Sequence, residues 1–182
     1  MYNCHVLITG PSGAGKTTLA RHFRSLGENG VDADTAGIGK WMDGSGNEFR
    51  PPADSAINAG QWAFDMGLRW NWDVSRLVHL LGSMHRVYLF GGAYNIYGLS
   101  GLFCRRYYLD ADAKLLEERL ESRSREGKSH VGWGETKEHR AVILAELDAD
   151  RSKAAEHGLR FIDASLPIDR IFRIIAGIRA DL

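Results

Sequence analysis

Short apolar runs alternate with longer amphipathic stretches along this chain. His5 to Thr9 is apolar, partly β-branched and stopped by Gly10-Pro11, which predicts a buried strand. Lys16 to Leu26 has helical periodicity and is closed by Gly27. A second strand centres on Val31, with Asp32 and Asp34 at or just beyond its end. Thr35 to Arg50 is rich in glycine and polar residues, with turn signals at Asp43-Gly44 and Gly46-Asn47. Pro51-Pro52 opens an interrupted helical region reaching about Leu81. A third strand, Arg86 to Phe90, ends at Gly91-Gly92, and a fourth covers roughly Phe103 to Leu109. Asp110 or Asp112 caps the next helix, which reaches about Ser124. Arg125 to Glu135 reads as a polar, mobile loop, and Thr136 as the cap of a long helix ending at His157. Leu159 to Ile162 is a fifth strand, and Pro167 opens a final helix to about Ala180.

Five strands alternating with helices predict an α/β fold with a parallel sheet covered on both faces. Ligands in such sheets bind beyond the carboxyl ends of the strands. The 182 residues suit a single domain, without repeats or a long linker.

Composition narrows the function. The hydrophobic share of 44% and charged share of 25% are globular values. Lys plus Arg (23) balances Asp plus Glu (23), which disfavours a nucleic-acid partner held by a strongly basic surface. Cys4 and Cys104 have no CxxC spacing and suggest no disulfide framework, so a reduced, cytoplasmic chain is expected. No targeting signal is visible at the N-terminus. Val87 to Cys104 lacks formal charge, but Gly91, Gly92, Asn95, Gly98, Ser100 and Gly101 would make a poor lipid-facing helix. No membrane partner is expected, and the oligomeric state stays open.

Gly10-Pro11-Ser12-Gly13-Ala14-Gly15-Lys16-Thr17 matches GxxxxGK[ST] in full, between a strand and a helix. Glycines let successive N–H groups converge on phosphate, and the helix N-terminus adds its positive dipole end. Lys16 can reach the β- and γ-phosphates, and Thr17 offers a hydroxyl to Mg²⁺. Asp32 and Asp34, two residues apart, share a face if the strand persists. One can serve the metal and the other can take a proton from an attacking hydroxyl. A phosphate acceptor is already ionised and would be repelled by the pair. Arg119 and Arg123 share a helix face, with Arg125, Lys128 and Arg140 following around the loop. Such cations suit a lid that closes over nucleotide. Trp62, Trp70 and Trp72 lie between the second and third strands, where flat aromatic walls suit a nucleobase or sugar face. Asn95 or Asp73 would add polar discrimination, although each tryptophan singly is an ordinary core residue. Trp41 and Trp133 receive no role. The seven histidines form no metal-ligand pattern, and only His130, in the loop, draws notice.

These motifs, in this order, resemble the small P-loop kinases: shikimate, gluconate and adenylate kinases and their relatives. The Asp32–Trp41 segment is also similar to uncharacterised bacterial ATP-binding proteins of that superfamily. The resemblance implies a five-stranded parallel sheet ordered 2-3-1-4-5, with an acceptor-binding insert at about 35–81 and a lid at about 125–136. It implies ATP and Mg²⁺. Gly10, Ser12, Gly13, Ala14, Gly15, Lys16, Thr17 and Thr18 would hold the nucleotide, with Arg119 against the adenine and Ala164 to Pro167 bordering the base. Lys16, Arg123, Asp34 and Asp32 would be catalytic, and Thr17 and Asp32 would hold the metal. By this analogy Asp32 tends toward the metal and Asp34 toward the acceptor hydroxyl, although the pair can be reversed. Asp34, Trp70, Trp72, Gly91, Gly92 and Asn95 would border the acceptor. Two departures stand out. No arginine follows the third strand to hold an acceptor phosphate, and that strand ends without the Asp of a standard Walker B motif. The expected activity is phosphoryl transfer to a hydroxyl of a small, largely neutral acceptor, nucleoside or polyol-like. A nucleoside monophosphate kinase, a non-catalytic ATP-binding sensor and a polynucleotide 5′-kinase are the rival readings.

Overall fold

The computed structural model describes residues 4–52, 59–125, 134 and 136–178. Its principal sheet contains β1 (Val6–Thr9), β2 (Gly30–Asp32), β6 (Tyr88–Phe90), β7 (Arg105–Asp110) and β8 (Arg160–Asp163). All pairings in it are parallel, in the order β2-β6-β1-β7-β8. This is not the numbering 2-3-1-4-5, because three further strands intervene in the chain between β2 and β6. These are β3 (Gly39–Met42), β4 (Glu48–Phe49) and β5 (Arg69–Trp72), which form a separate antiparallel sheet ordered β4-β3-β5. The polar stretch expected to be turns therefore holds a hairpin, and the expected helical region is divided. Its described parts are α2 (Ala59–Asp65), β5 and α3 (Val74–Gly82).

Both faces of the parallel sheet are covered, as β1 illustrates. Val6 and Ile8 face one layer while Leu7 faces the other, following the alternation of a strand. The first layer contains α1 (Lys16–Ser25), α4 (Ala113–Arg125) and α6 (Ile168–Ala176), with α5 (Lys137–Glu156) adding Leu147. Phe23 of α1 is fully buried at its centre, with ring centroids 4.7 Å from Tyr88, 5.1 Å from Phe90 and 4.7 Å from Phe172. Cutting such a ring back to alanine costs about 3–5 kcal/mol. The second layer packs Leu77 and Leu81 of α3, with Trp72 and Phe103, against Leu7 and Leu89.

Helix ends follow the sequence chemistry. Thr136 accepts from His139 N at 3.1 Å and caps α5, and Asp73 accepts from Arg76 N at 3.1 Å and caps α3. Pro167 is the N-cap of α6. Lys128, His130 and Trp133, in the stretch expected to form a lid, lie outside the described residues.

The two cysteines correct the expectation of unpaired thiols. Cys4 and Cys104 form a disulfide with Cα atoms 5.4 Å apart. Strands β1 and β7 are parallel neighbours that begin their pairing at Val6 and Arg105, and Cys104 N donates to His5 O at 3.0 Å. Residues just before the two strands therefore lie side by side although they are 100 apart in sequence. Among the described residues, no helix is long and apolar enough to cross a membrane.

Candidate active site

The loop from Gly10 to Gly15 joins β1 to α1 at the carboxyl end of the sheet. Gly10 has φ +144°, and a Cβ there would stand 2.6 Å from Leu109 O on β7, so the chain needs glycine to leave the strand this way. Gly13 lies over Leu116 and Leu120 of α4, with its would-be Cβ 3.1 Å from Leu120 Cγ, and Ala14 is buried. Gly15, in the left-handed region, caps α1, and Lys16 is the first helical residue. Thr17 and Thr18 follow in the exposed part of the first turn, where helix N–H groups lack intrahelical partners. Ser12 lies in the same loop.

Lys16 bends back into its own loop. Its Nζ donates to Gly10 O at 2.7 Å and Pro11 O at 2.8 Å. Burial lowers its pKa to about 8, against the opposing pull of Asp34 and Asp32, while Arg123 pushes it further down. A phosphate entering this loop competes with the two carbonyls for the ammonium protons and restores the charge that burial disfavours.

The acidic pair is arranged differently from two residues on one strand face. β2 ends at Asp32, and Asp34 sits in the turn that follows. Asp32 is 4% exposed, and its Oδ1 accepts from Asp34 N at 3.0 Å and Thr35 N at 3.4 Å. This side chain shapes the turn that presents Asp34. Asp34 Oδ1 accepts from Trp70 Nε1 at 3.1 Å. Desolvation, and then the like charge of Asp32, raise the Asp34 pKa, opposed by Lys16 and the Trp70 hydrogen bond. Asp34 is the better-placed proton acceptor, because Asp32 is buried and committed to main-chain amides.

Arg119 straps two loops together. Its Nη1 donates to Ala14 O at 3.2 Å, and its Nη2 donates to Ala164 O at 2.9 Å. Ala164 is buried between β8 and α6 and donates its N–H to Asp110 O at 2.7 Å. Pro167 follows at the cap of α6. The guanidinium of Arg123, one turn further along α4, lies beside Gly134, and its charge acts on Lys16. These cations lie on the helix face expected from their spacing.

The insert sheet supplies the aromatic wall. Trp70 lies against Gly39 and meets Trp41 edge-on, with ring centroids 4.9 Å apart. Trp41, assigned no role from the sequence, thus belongs to the group that holds Trp70 on Asp34. Trp72 is 1% exposed and packs in the second layer, against Ala33 and Gly91. A Cβ on Gly91 would stand 2.7 Å from Ala33 Cβ and 2.9 Å from Trp72 Cζ2, so this close approach requires glycine. Gly92 lies beside the Thr9 hydroxyl. The Asn95 amide is occupied by β5, with Oδ1 accepting from Trp72 N at 3.0 Å and Nδ2 donating to Trp72 O at 2.9 Å. It ties the insert to the third-strand loop. Asp73 is likewise engaged, by Lys40 Nζ at 2.8 Å. The other face of the insert, alternating with the tryptophans, lines a cleft of about 530 Å³ with Lys40, Met42, Arg69 and Asn71, and Arg69 stacks 3.9 Å from the Tyr94 ring centroid.

Three residues were not singled out by sequence. Asp150 of α5, Tyr97 and Tyr108 influence one another, and the charge of Asp150 also acts on Lys16. No spacing signal marks them, because their proximity depends on how α5 crosses the end of β7.

Magnesium is bound in nucleotide sites by one or two carboxylates together with substrate phosphates, rather than by an all-protein cage. Thr17 and Asp32 supply hard oxygen donors of that kind beside the phosphate loop. The described residues contain no group of three His, Cys, Asp or Glu that could hold a metal alone.

Several solved structures share this architecture. A shikimate kinase from Acinetobacter baumannii in complex with shikimate superposes with a TM-score of 0.59, at 16% identity over 98% of this chain and 96% of that one. A deoxyadenosine kinase from M. mycoides with bound dATP gives 0.53, at 14% identity over 95% and 97%. A gluconokinase from Sinorhizobium meliloti gives 0.53, at 17% identity over 97% and 91%. The fold is that of the small P-loop kinases. No protein-family model and no curated protein sequence matches the chain.

Proposed function

We propose that this chain is an ATP-dependent, magnesium-assisted kinase that phosphorylates a hydroxyl of a small acceptor. One observation carries the reading. Lys16, in a strand–loop–helix phosphate site, lies within the electrostatic reach of Asp32 and Asp34 at the same sheet edge. The P-loop kinase fold supports it, as do the activities named for the similar structures.

The residues divide the work. Backbone N–H groups of residues 12–18 cradle the phosphates, and Lys16 moves from its own loop carbonyls to the β- and γ-phosphate oxygens. Arg119 holds the phosphate loop against the Ala164–Pro167 segment and borders the adenine. Arg123 stabilises charge on the transferring group. Asp34 takes the proton from the acceptor hydroxyl as its oxygen bonds to the γ-phosphorus and the bond to the β-phosphate oxygen breaks, releasing ADP. Magnesium, held by Thr17, Asp32 and the phosphates, would neutralise charge on the β- and γ-oxygens. Trp70 positions Asp34, while Gly91 and Gly92 floor the acceptor side.

The test incubates the purified chain with ATP, magnesium and pooled metabolites, and identifies phosphorylated products by mass spectrometry. The expected result is acceptor-dependent ADP formation with a hydroxyl as the phosphorylated group. A product phosphorylated on an existing phosphate instead identifies a nucleoside monophosphate kinase. Nucleotide binding without any acceptor-dependent turnover identifies a sensor. A chain that does not retain ATP with magnesium refutes the proposal outright.

A further inference from the structure

A third carboxylate, on α5, lies within electrostatic reach of Lys16. The path of α5 is fixed by Arg151, whose Nε donates to Asp110 Oδ1 at 2.8 Å and whose Nη2 donates to Ala111 O at 3.1 Å, at the carboxyl end of β7. Ala154 is fully buried against Tyr108, and Tyr97 packs against that pair. Asp150 lies one turn before Ala154 on the same helical face, and so projects over the tyrosines toward the carboxyl end of the sheet. Its charge acts on Tyr97, Tyr108 and Lys16.

The hydrogen bonding of this group is incomplete. Tyr108 is 2% exposed, and its hydroxyl has no hydrogen-bond partner among the described residues. An unmet buried hydroxyl of this kind is costly. Asp150 is only part-exposed and makes no hydrogen bond or ion pair with a described residue. Burial raises its pKa, and Lys153 and Lys16 offset that only in part. With Asp32 and Asp34, three carboxylates thus act on the charge of Lys16, whose own task is the nucleotide. A neutral polyol would satisfy the Tyr108 hydroxyl and leave the Asp150 charge only partly compensated. A divalent ion would find one carboxylate and neutral tyrosines, too few hard donors.

We propose that the acceptor carries a protonated amine, which Asp150 receives together with the hydroxyls of Tyr97 and Tyr108, while Asp34 serves its reacting hydroxyl. The acceptor class is then an amino alcohol or amino sugar. This rests on the kinase reading above and names the substrate of that same site. An ammonium there supplies a charge-assisted bond to Asp150 and a donor to Tyr108.

The experiment compares matched acceptors with the full chain, ATP and magnesium: glucosamine against glucose, and 3-amino-1,2-propanediol against glycerol. Acceptor-dependent ADP formation is read for the wild type, Asp150→Asn, Asp150→Glu and Tyr108→Phe. Affinity for magnesium-ATP is measured separately by calorimetry. In at least one pair the amine is expected to exceed its neutral partner in kcat/KM by roughly tenfold or more, the size of one charge-assisted bond. Asp150→Asn is expected to abolish that preference through KM with nucleotide affinity held within about twofold. Asp150→Glu should retain most of it, and Tyr108→Phe should weaken it. The inference is overturned by neutral partners that react as well or better, by a preference that survives Asp150→Asn, or by silence from both members of every pair. In each of those cases magnesium-ATP binding by the wild type still separates this failure from failure of nucleotide recognition.

Discussion

Replacing Arg119 with alanine tests how the nucleotide site is held. The guanidinium spans two main-chain carbonyls, Ala14 O at 3.2 Å and Ala164 O at 2.9 Å, in a part-buried position. Each bond is worth about 1 kcal/mol net, so Arg119→Ala should lower global stability by about 1–2 kcal/mol. Nucleotide affinity should fall further. The untied loops no longer present the phosphate and base sites at a fixed spacing, and the proposed contact with the adenine face, about 1 kcal/mol, disappears. Together these losses weaken magnesium-ATP binding roughly tenfold to a hundredfold, since about 1.4 kcal/mol is tenfold. Arg119→Lys keeps the charge but gives a point donor that cannot span both carbonyls, and should fall between the wild type and alanine. Calorimetric titration with magnesium-ATP and chemical denaturation of the same preparations provide the two readouts. An alanine variant with unchanged affinity and unchanged stability would show that the strap neither holds the loops nor supports the base.

Further outcomes follow from charge, aromatic contact and covalent linkage. Lys16 must be protonated to bind phosphate, and burial has lowered its pKa to about 8. Affinity for magnesium-ATP should therefore be full below that pH and fall as pH rises through it, and a flat titration across the range would contradict the assignment. Trp70→Phe removes the donor that partly offsets the raised pKa of Asp34. Its acid limb in kcat/KM should move to higher pH, whereas Trp41→Phe, which keeps an aromatic ring against Trp70 and leaves the Trp70 donor in place, should not shift the limb. Reducing the Cys4–Cys104 bond frees a span of 100 residues in the unfolded chain. Denaturation with and without reductant should differ by about 2–4 kcal/mol. ATP affinity should stay the same, because the disulfide lies at the opposite strand ends from the phosphate loop; equal stability in both states would refute this account.

The parallel sheet and phosphate loop were legible because their information is local. Gly10 through Thr17 must occupy that spacing to wrap a phosphate, and the surrounding apolar runs are buried on both faces. The insert was harder to read. Arg69-Trp70-Asn71-Trp72 does alternate, but four residues between helical stretches are too few to establish a period, and β4 has only two. The acidic pair was singled out by residue type, and a shared face was expected only if the strand persisted through it, which it does not. Asp32 turns back onto the amides of Asp34 and Thr35 and ends the strand instead of extending it. Asp150 and the cysteine pair were beyond local reasoning altogether. One depends on the crossing of α5 over β7, and the other on which strands become neighbours.

The internal bonds of Lys16 have a consequence for selectivity. In the resting protein the ammonium already has two good acceptors, the carbonyls of Gly10 and Pro11. Every incoming anion is therefore weighed against an occupant belonging to the chain itself. A lone sulfate or inorganic phosphate offers Lys16 little more than it has and engages only part of the loop. A polyphosphate can draw the side chain away while its other groups gain the helix amides. On the proposed function, the resting contact thus acts as a threshold that is higher for small, abundant anions than for a triphosphate tail.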